Sequence, residues 1–306
     1  MKLDKLYITI DVEPDCDIYW NRSDPSTFKS VIYGIPQLLR PIWDKYKINP
    51  IYFVSPEVGM NKECCIILKE EIKKGAIIGA HLHSEYIEPN VTVKDPAGKP
   101  SKEYPCFKHS TQIEYEKINN LTALIQKKLG VRPLWYRAAR YGADLDTIKS
   151  LSKLGYKYDS SITPDINWSG QGGPDHSRAP KQAYWISRNN VYTPAQSEKE
   201  SSGIIEVPIT ISEKRFGLLG RLLPNKWFFY RWLRPTLMSF IEMKKLVDEM
   251  YKKYNDPTLV MMFHSMEIMP NKSPYVRNGL MQRKFLKRLE RTIKYVQEKN
   301  DKLRKI

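Results

Sequence analysis

Cysteine is scarce in this chain: Cys16, the adjacent Cys64 and Cys65, and Cys106 are the whole complement. None stand in a C-x-x-C pair, so neither a zinc knuckle nor a disulfide framework is suggested, and reduced thiols of a cytoplasmic protein are the simpler reading. Long hydrophobic runs are missing too. No apolar stretch approaches the roughly 20 residues that span a bilayer, and the opening MKLDKLYITI is too short and too charged for a secretory h-region. The expected compartment is therefore the cytoplasm. A G-x-G-x-x-G turn after the first strand is absent, as is a Walker loop, which removes two common phosphate-cradling devices. Histidine is rare, with only five in 306 residues.

What is present argues for a folded enzyme-sized unit. Hydrophobic residues make up 41% and aromatics 11%, which supplies a sizeable core and excludes a disordered composition. A chain of this length suits one α/β barrel, and no linker or internal repeat divides residues 1–306. Fifty Lys and Arg against 34 Asp and Glu give a formal charge of +16, which invites a nucleic-acid partner. The distribution argues otherwise. Basic residues are spread along helical stretches such as LKEEIKKG and RKFLKRLERTIKYVQEKNDKLRKI, mixed with acids, and read as solvated faces. No nucleic-acid partner is expected.

Short apolar runs alternate with helical patterns. Strands are predicted at 5–10, 50–55, 76–83, 133–138, 156–160, within GIIEVPITI and at 258–264. Helices are predicted near 34–46, with Pro36 suited to the first turn, then at 62–74, 111–129 and 144–154, and from about 279 to the end. Strands separated by helices of this length form βαβ units and a parallel sheet of about seven strands, as a barrel or an open sheet. Residues 160–203, rich in Ser, Pro, Gly and Gln, read as a long irregular insertion.

Ionisable residues gather at the carboxyl ends of these strands, where parallel α/β folds place their active sites. Asp11 and Glu13 close the first strand, His81 and His83 the third, Arg137 the fourth, Asp159 the fifth and His264 the last. Asp11 and Glu13 are two apart, as are His81 and His83, so on extended backbone each pair leaves one face. An H-x-H alone reads as a satisfied polar pair. Joined by carboxylates it supplies the three protein ligands of an open zinc site, and manganese, cobalt or iron fit the same nitrogen–oxygen set. Asp15 and Asp17, further along the same acidic stretch, have no assigned role.

In this order the motifs resemble those of the polysaccharide deacetylases, carbohydrate esterase family four. TIDVE is similar to the family's first motif, IGAHLHSE to the second, YRAARYG to the third, YDSS to the fourth and MMFHS to the last. The resemblance covers most of the chain and implies a distorted (β/α) barrel with long loop insertions. It implies a metal-dependent hydrolase that removes acetyl from an N-acetylated sugar of a polysaccharide or glycan precursor. Carried over, Asp11 is the base, Arg137 pairs with it, and His264 is the acid held by Asp159. Glu13, His81 and His83 hold a divalent metal, zinc first. Two departures stand out. Val12 separates Asp11 from Glu13 where the family has adjacent aspartates. The family's histidines are four apart, which from His81 points to Glu85; ligand type and strand geometry favour His83.

Trp168, His176 and Arg178, in DINWSGQGGPDHSRAP (165–180), are candidates for sugar and anion binding, against a plain surface loop with a buried tryptophan. PNKSPY (270–275) is a candidate rim, and backbone N–H groups around Tyr141 are candidate oxyanion donors. Residues 216–240, aromatic and basic without an acid, fit peripheral contact with an anionic membrane or a packed core with basic edges. The alternatives are a non-catalytic glycan-binding barrel and a hydrolase of a non-sugar C–N bond.

Overall fold

The computed structural model describes residues 3–23, 25–91, 109–213 and 230–303. In chain order its strands are Leu6–Val12 (β1), Ile51–Val54 (β2), Ile77–Leu82 (β3), Trp135–Ala138 (β4), Tyr158–Asp159 (β5), Tyr184–Ser187 (β6), Asn190–Pro194 (β7), Ser201–Glu206 (β8), Ile211–Glu213 (β9), Tyr230–Trp232 (β10) and Leu259–His264 (β11). The helices are Arg40–Tyr46 (α1), Pro56–Met60 (α2), Lys62–Lys73 (α3), Thr111–Leu129 (α4), Leu145–Lys153 (α5), Phe240–Lys253 (α6) and Gly279–Leu303 (α7).

The main sheet runs β11-β1-β2-β3-β4-β5-β8, every neighbouring pair parallel, which is the predicted seven-stranded frame. Because helices cover its outer face, β1 and β2 are buried almost throughout and read as continuous apolar runs. The ring is closed without a ladder. Thr210 N–H donates to the Val260 carbonyl at 3.2 Å and Val260 N–H to Thr210 Oγ1 at 2.8 Å, while Met262 N–H donates to Leu233 O at 3.2 Å. The chain after β8 thus joins β11 through single hydrogen bonds, which is what distorts the barrel.

Local signals set most boundaries. Ser110 accepts from Ile113 N–H to cap α4, and Gly130, at φ 78°, ends it in the left-handed conformation that glycine adopts without strain. Asp144 and Thr147 form a reciprocal capping box on α5.

Three features differ from expectation. The helix predicted near 34–46 starts earlier, with a π-wound stretch Ser30–Leu39 that carries Pro36 inside it and continues into α1. Its start is fixed from outside: Asp15 accepts from Lys29 N–H at 2.7 Å and Ser30 N–H at 3.1 Å, a cap that no local sequence pattern announces. Second, the 160–203 insertion is partly regular, because β6 and β7 form an antiparallel hairpin that pairs with β8. Third, the helix α6, which is not among the predicted helices, follows the segment read as aromatic and basic. Of that segment, 216–229 lie outside the described residues, as does Cys106; Trp232, Leu233 and Arg234 are buried in the core. Among the described residues, no helix is long and apolar enough to cross a membrane.

Candidate active site

Parallel register decides which side chains meet. Asp11 lies opposite His264 of β11 and Phe53 of β2, and His81 lies opposite Arg137. Alternation along each strand then sends Asp11, His81 and Arg137 to the barrel interior. Arg137 is wholly buried and fully engaged. It donates from Nη1 to Asp11 Oδ1 at 2.7 Å, from Nη2 to Thr9 Oγ1 and Ser160 Oγ, and from Nε to Ser160 O. Burial would raise the Asp11 carboxyl. Arg137, helped by His81 and His264, outweighs that and holds it below its ordinary value.

Glu13, one turn of the pleat further on, meets both histidines. Its Oε1 lies 3.1 Å from His81 Nε2 and 3.3 Å from His83 Nε2, and the three groups' ligand atoms are all within 4.8 Å of one another. The other ring nitrogens are tied down behind them. His81 Nδ1 donates to the Arg137 carbonyl at 2.9 Å, and His83 Nδ1 to Glu57 Oε1 at 2.9 Å. A carbonyl only accepts, so Nδ1 of His81 carries a proton there, and Nε2 is the nitrogen turned toward Glu13. Burial would lower His83, but Glu57 and Glu13 push it up to about 10. Burial likewise opposes ionisation of Glu13, and His83 and His81 pull its carboxyl well below the usual range. The cluster therefore favours positive charge between Glu13 and the two Nε2 atoms. Glu85 stands apart from it, buried at the rim with Arg140 Nη2 on its Oε1 at 2.9 Å.

His264 closes β11 with Nε2 toward the same centre, 3.8 Å from Glu13 Oε1 and 3.9 Å from Asp11 Oδ2. Its Nδ1 is held at 2.7 Å by Glu267, which Arg234 and Thr236 bind in turn. Burial would lower the imidazole, yet the Glu267 hydrogen bond leads the effects that raise it. Burial would also raise Glu267, and Arg234 with His264 brings it down to about 2.

This corrects the expected pairing of Asp159 with His264. Tyr136 lies opposite Asp159, and Asp159 opposite Glu206, so this row runs on the face away from the one that carries Arg137. Ser160 is the residue of that stretch that reaches Arg137. Asp159 accepts from Ser161 Oγ at 2.6 Å, and burial raises its carboxyl. Glu206 beside it is also raised, by burial and by Asp159 itself.

The site opens into a cleft of about 600 Å³ lined by Trp20, Arg22, Tyr86, Arg140, Tyr141 and Tyr275 as well as the central cluster. A larger hollow of about 740 Å³ lies around Trp185 and Arg188, with none of these histidines in its wall. Asp17 shapes the rim: its carboxylate accepts from Tyr19 N–H and Asn21 N–H, turning the chain so that Trp20, at φ 65°, stands edge-on to Tyr275. Residues 165–180 do not reach the cleft. Trp168 is buried and bonded to Thr163 Oγ1, and His176, wholly buried, accepts from Thr163 N–H and is lowered by desolvation to about 4. Glu57, Arg234 and Glu267 had no assigned role in the sequence; only Glu267, three residues after His264, left a readable signal.

No protein-family model matches the sequence. No curated protein matches it either. Solved structures do. A proposed glycoside hydrolase/deacetylase of Parabacteroides distasonis is 10% identical, with 96% of this chain and 67% of that one covered and a TM-score of 0.63. The PuuE allantoinase is 12% identical, covering 96% of this chain and 84% of that one, at 0.50. A family 4 carbohydrate esterase of Streptomyces lividans, solved with acetate, is 9% identical, covering 96% and 88%, at 0.45. Across nearly its whole length, and at low identity, the chain shares its fold with the glycoside hydrolase/deacetylase structure and with the allantoinase.

Proposed function

We propose that the protein is a metal-dependent hydrolase that removes acetyl from an N-acetylated sugar of a glycan or glycan precursor. The observation that carries this is the donor set Glu13, His81 and His83, each histidine anchored through Nδ1, beside an ionised Asp11 and a carboxylate-held His264. Two imidazole nitrogens and one carboxylate oxygen fit zinc, with cobalt, manganese or iron compatible. When bound, such an ion lowers the pKa of a water and polarises a carbonyl.

Asp11 takes the proton of the attacking water; the Arg137 ion pair keeps it charged until then. His264 gives a proton to the departing nitrogen, and Glu267 stabilises the imidazolium and orients the ring. The Tyr141 backbone N–H is the oxyanion donor in this reading. Trp20 and Tyr275, aromatic faces beside arginines and an amide, suit a pyranose ring. A second reading, opening of a cyclic ureide such as allantoin, rests on the likeness to an allantoinase and uses the same groups.

Acetate release from chitooligosaccharides and from peptidoglycan fragments tests the proposal, with allantoin assayed in parallel. Chelation should abolish turnover and zinc or cobalt restore it. Full activity in metal-stripped protein, or in His264→Ala with metal bound, would overturn the assignment.

A further inference from the structure

Helix α7 buries Phe285, Leu289, Ile293 and Val296 against the barrel and turns a different stripe outward. Leu280, Lys284, Lys287, Arg291 and Lys294 follow one another by four, three, four and three residues, so they share one face about 21 Å long. All are exposed. The sequence mixes acids into this helix, and the basic stripe ends at one of them, Glu298, four residues after Lys294 on the same face. Glu290 points aside to Lys45, 2.5 Å away, and Tyr46, and Glu298 lies beyond the last basic residue, 3.7 Å from Lys294. Among the described residues, Lys284, Lys287 and Arg291 have no carboxylate within 4 Å. Aliphatic side chains flank the charge: Leu280 is 53% exposed, and Ile241, next to the Phe240 ring that Arg291 covers, is 62% exposed.

We propose that this face of α7 docks on an anionic lipid surface. Lysines and arginines meet the headgroup charge while Leu280 and Ile241 enter the acyl boundary, the combination that holds interfacial helices to membranes. Nucleic acid is the poorer match. Phosphates would engage the same cations, but the aliphatic flanks gain nothing there and the stripe offers no open aromatic face for a base. The stripe begins at the end of the barrel that carries the cleft. Gln282 donates to Ile268 O just past β11, and the rim residue Tyr275 lies a few positions before the helix. Docking through this face sets the opening of the cleft beside the lipid headgroups.

Flotation of the full chain with phosphatidylcholine vesicles, with and without phosphatidylglycerol, tests this. The chain should float only with the anionic vesicles, and less at high salt. Lys284→Gln with Lys287→Gln should weaken binding about thirtyfold, from two basic contacts, while Lys284→Arg with Lys287→Arg retains it and shows that the fold is intact. Leu280→Ser should also weaken it. No binding to phosphatidylglycerol vesicles, or equal binding by the glutamine variant, overturns the proposal. So does equally tight binding of polyuridylate that Leu280→Ser leaves unchanged. Hydrolysis of a soluble substrate should be the same in all these variants, so this outcome is independent of the reaction assigned to the site.

Discussion

Two pairs of buried carboxylates sit at the carboxyl ends of this barrel, and they behave in opposite ways. Asp11 and Glu13 are held ionised; Asp159 and Glu206 are pushed toward the protonated form. Desolvation is the largest influence on all four and always opposes charge. The partners decide the outcome. Asp11 has a guanidinium at 2.7 Å and Glu13 has two imidazoles near 3 Å, whereas Asp159 and Glu206 have chiefly each other and hydroxyl or amide donors. The first pair can accept a proton or hold a cation. The second is a neutralised element of the wall. Strand register makes the division, since one residue along β5 separates the face of Arg137 from the face of Asp159.

The comparison breaks first at the level of rate. Asp11→Asn should lower turnover by about 10²–10⁴ with metal retained, the range for a lost general base. Asp159→Asn, equally buried, should change it only a few-fold. Acetate release by the two variants under saturating metal decides the matter, and equal losses would put Asp159 back into the chemistry. The next effect is on metal affinity. Glu57 touches no ion in this scheme, yet it anchors His83 Nδ1, and Arg22 binds it at 2.6 Å. Glu57→Ala should weaken zinc binding by about 10–100-fold, as losing such an anchor usually does. Competition with a chromophoric chelator measures it; unchanged affinity would mean that His83 is not a ligand.

The sequence was readable where local periodicity alone carries the information. Two-residue spacing put Asp11 with Glu13 and His81 with His83 on shared faces, and α4 begins and ends at its cap and its glycine as expected from 111–129. It was unreadable where a partner arrives from elsewhere. The role expected of Asp159 came from the resemblance of YDSS to a family motif, and its strand, expected at 156–160, is only two residues long and gives no alternation from which to fix its phase. Glu57 and Arg234 reach the site from α2 and from the turn after β10, and nothing in their neighbours' pattern announces it. Asp15, the third carboxylate of the first acidic stretch, serves as a helix cap 14 residues upstream of Lys29. For Trp168 the buried alternative holds, and His176, read as a candidate for anion binding, is buried too: a polar, glycine-rich setting masked a side chain that folds into the core.

A third kind of carboxylate sharpens the comparison at its low end. Glu114 on α4 is buried with one donor, Thr147 Oγ1 at 2.8 Å, and with Asp144 and Asp146 rather than a cation near it. Desolvation raises it from 4.5 to about 7. Between those values the folded chain holds a proton that the unfolded chain has lost, so stability falls as pH rises from about 4.5 and levels off above about 7. At 1.36 kcal/mol per pKa unit the loss is about 3 kcal/mol. Glu114→Gln keeps the shape and the acceptor without the charge. It should match the wild type at pH 5 and exceed it at pH 8 by about that amount in urea unfolding. An identical fall from pH 5 to pH 8 in both proteins would show that burial does not govern this carboxyl, and the contrast between partnered and unpartnered acids would lose its simplest case.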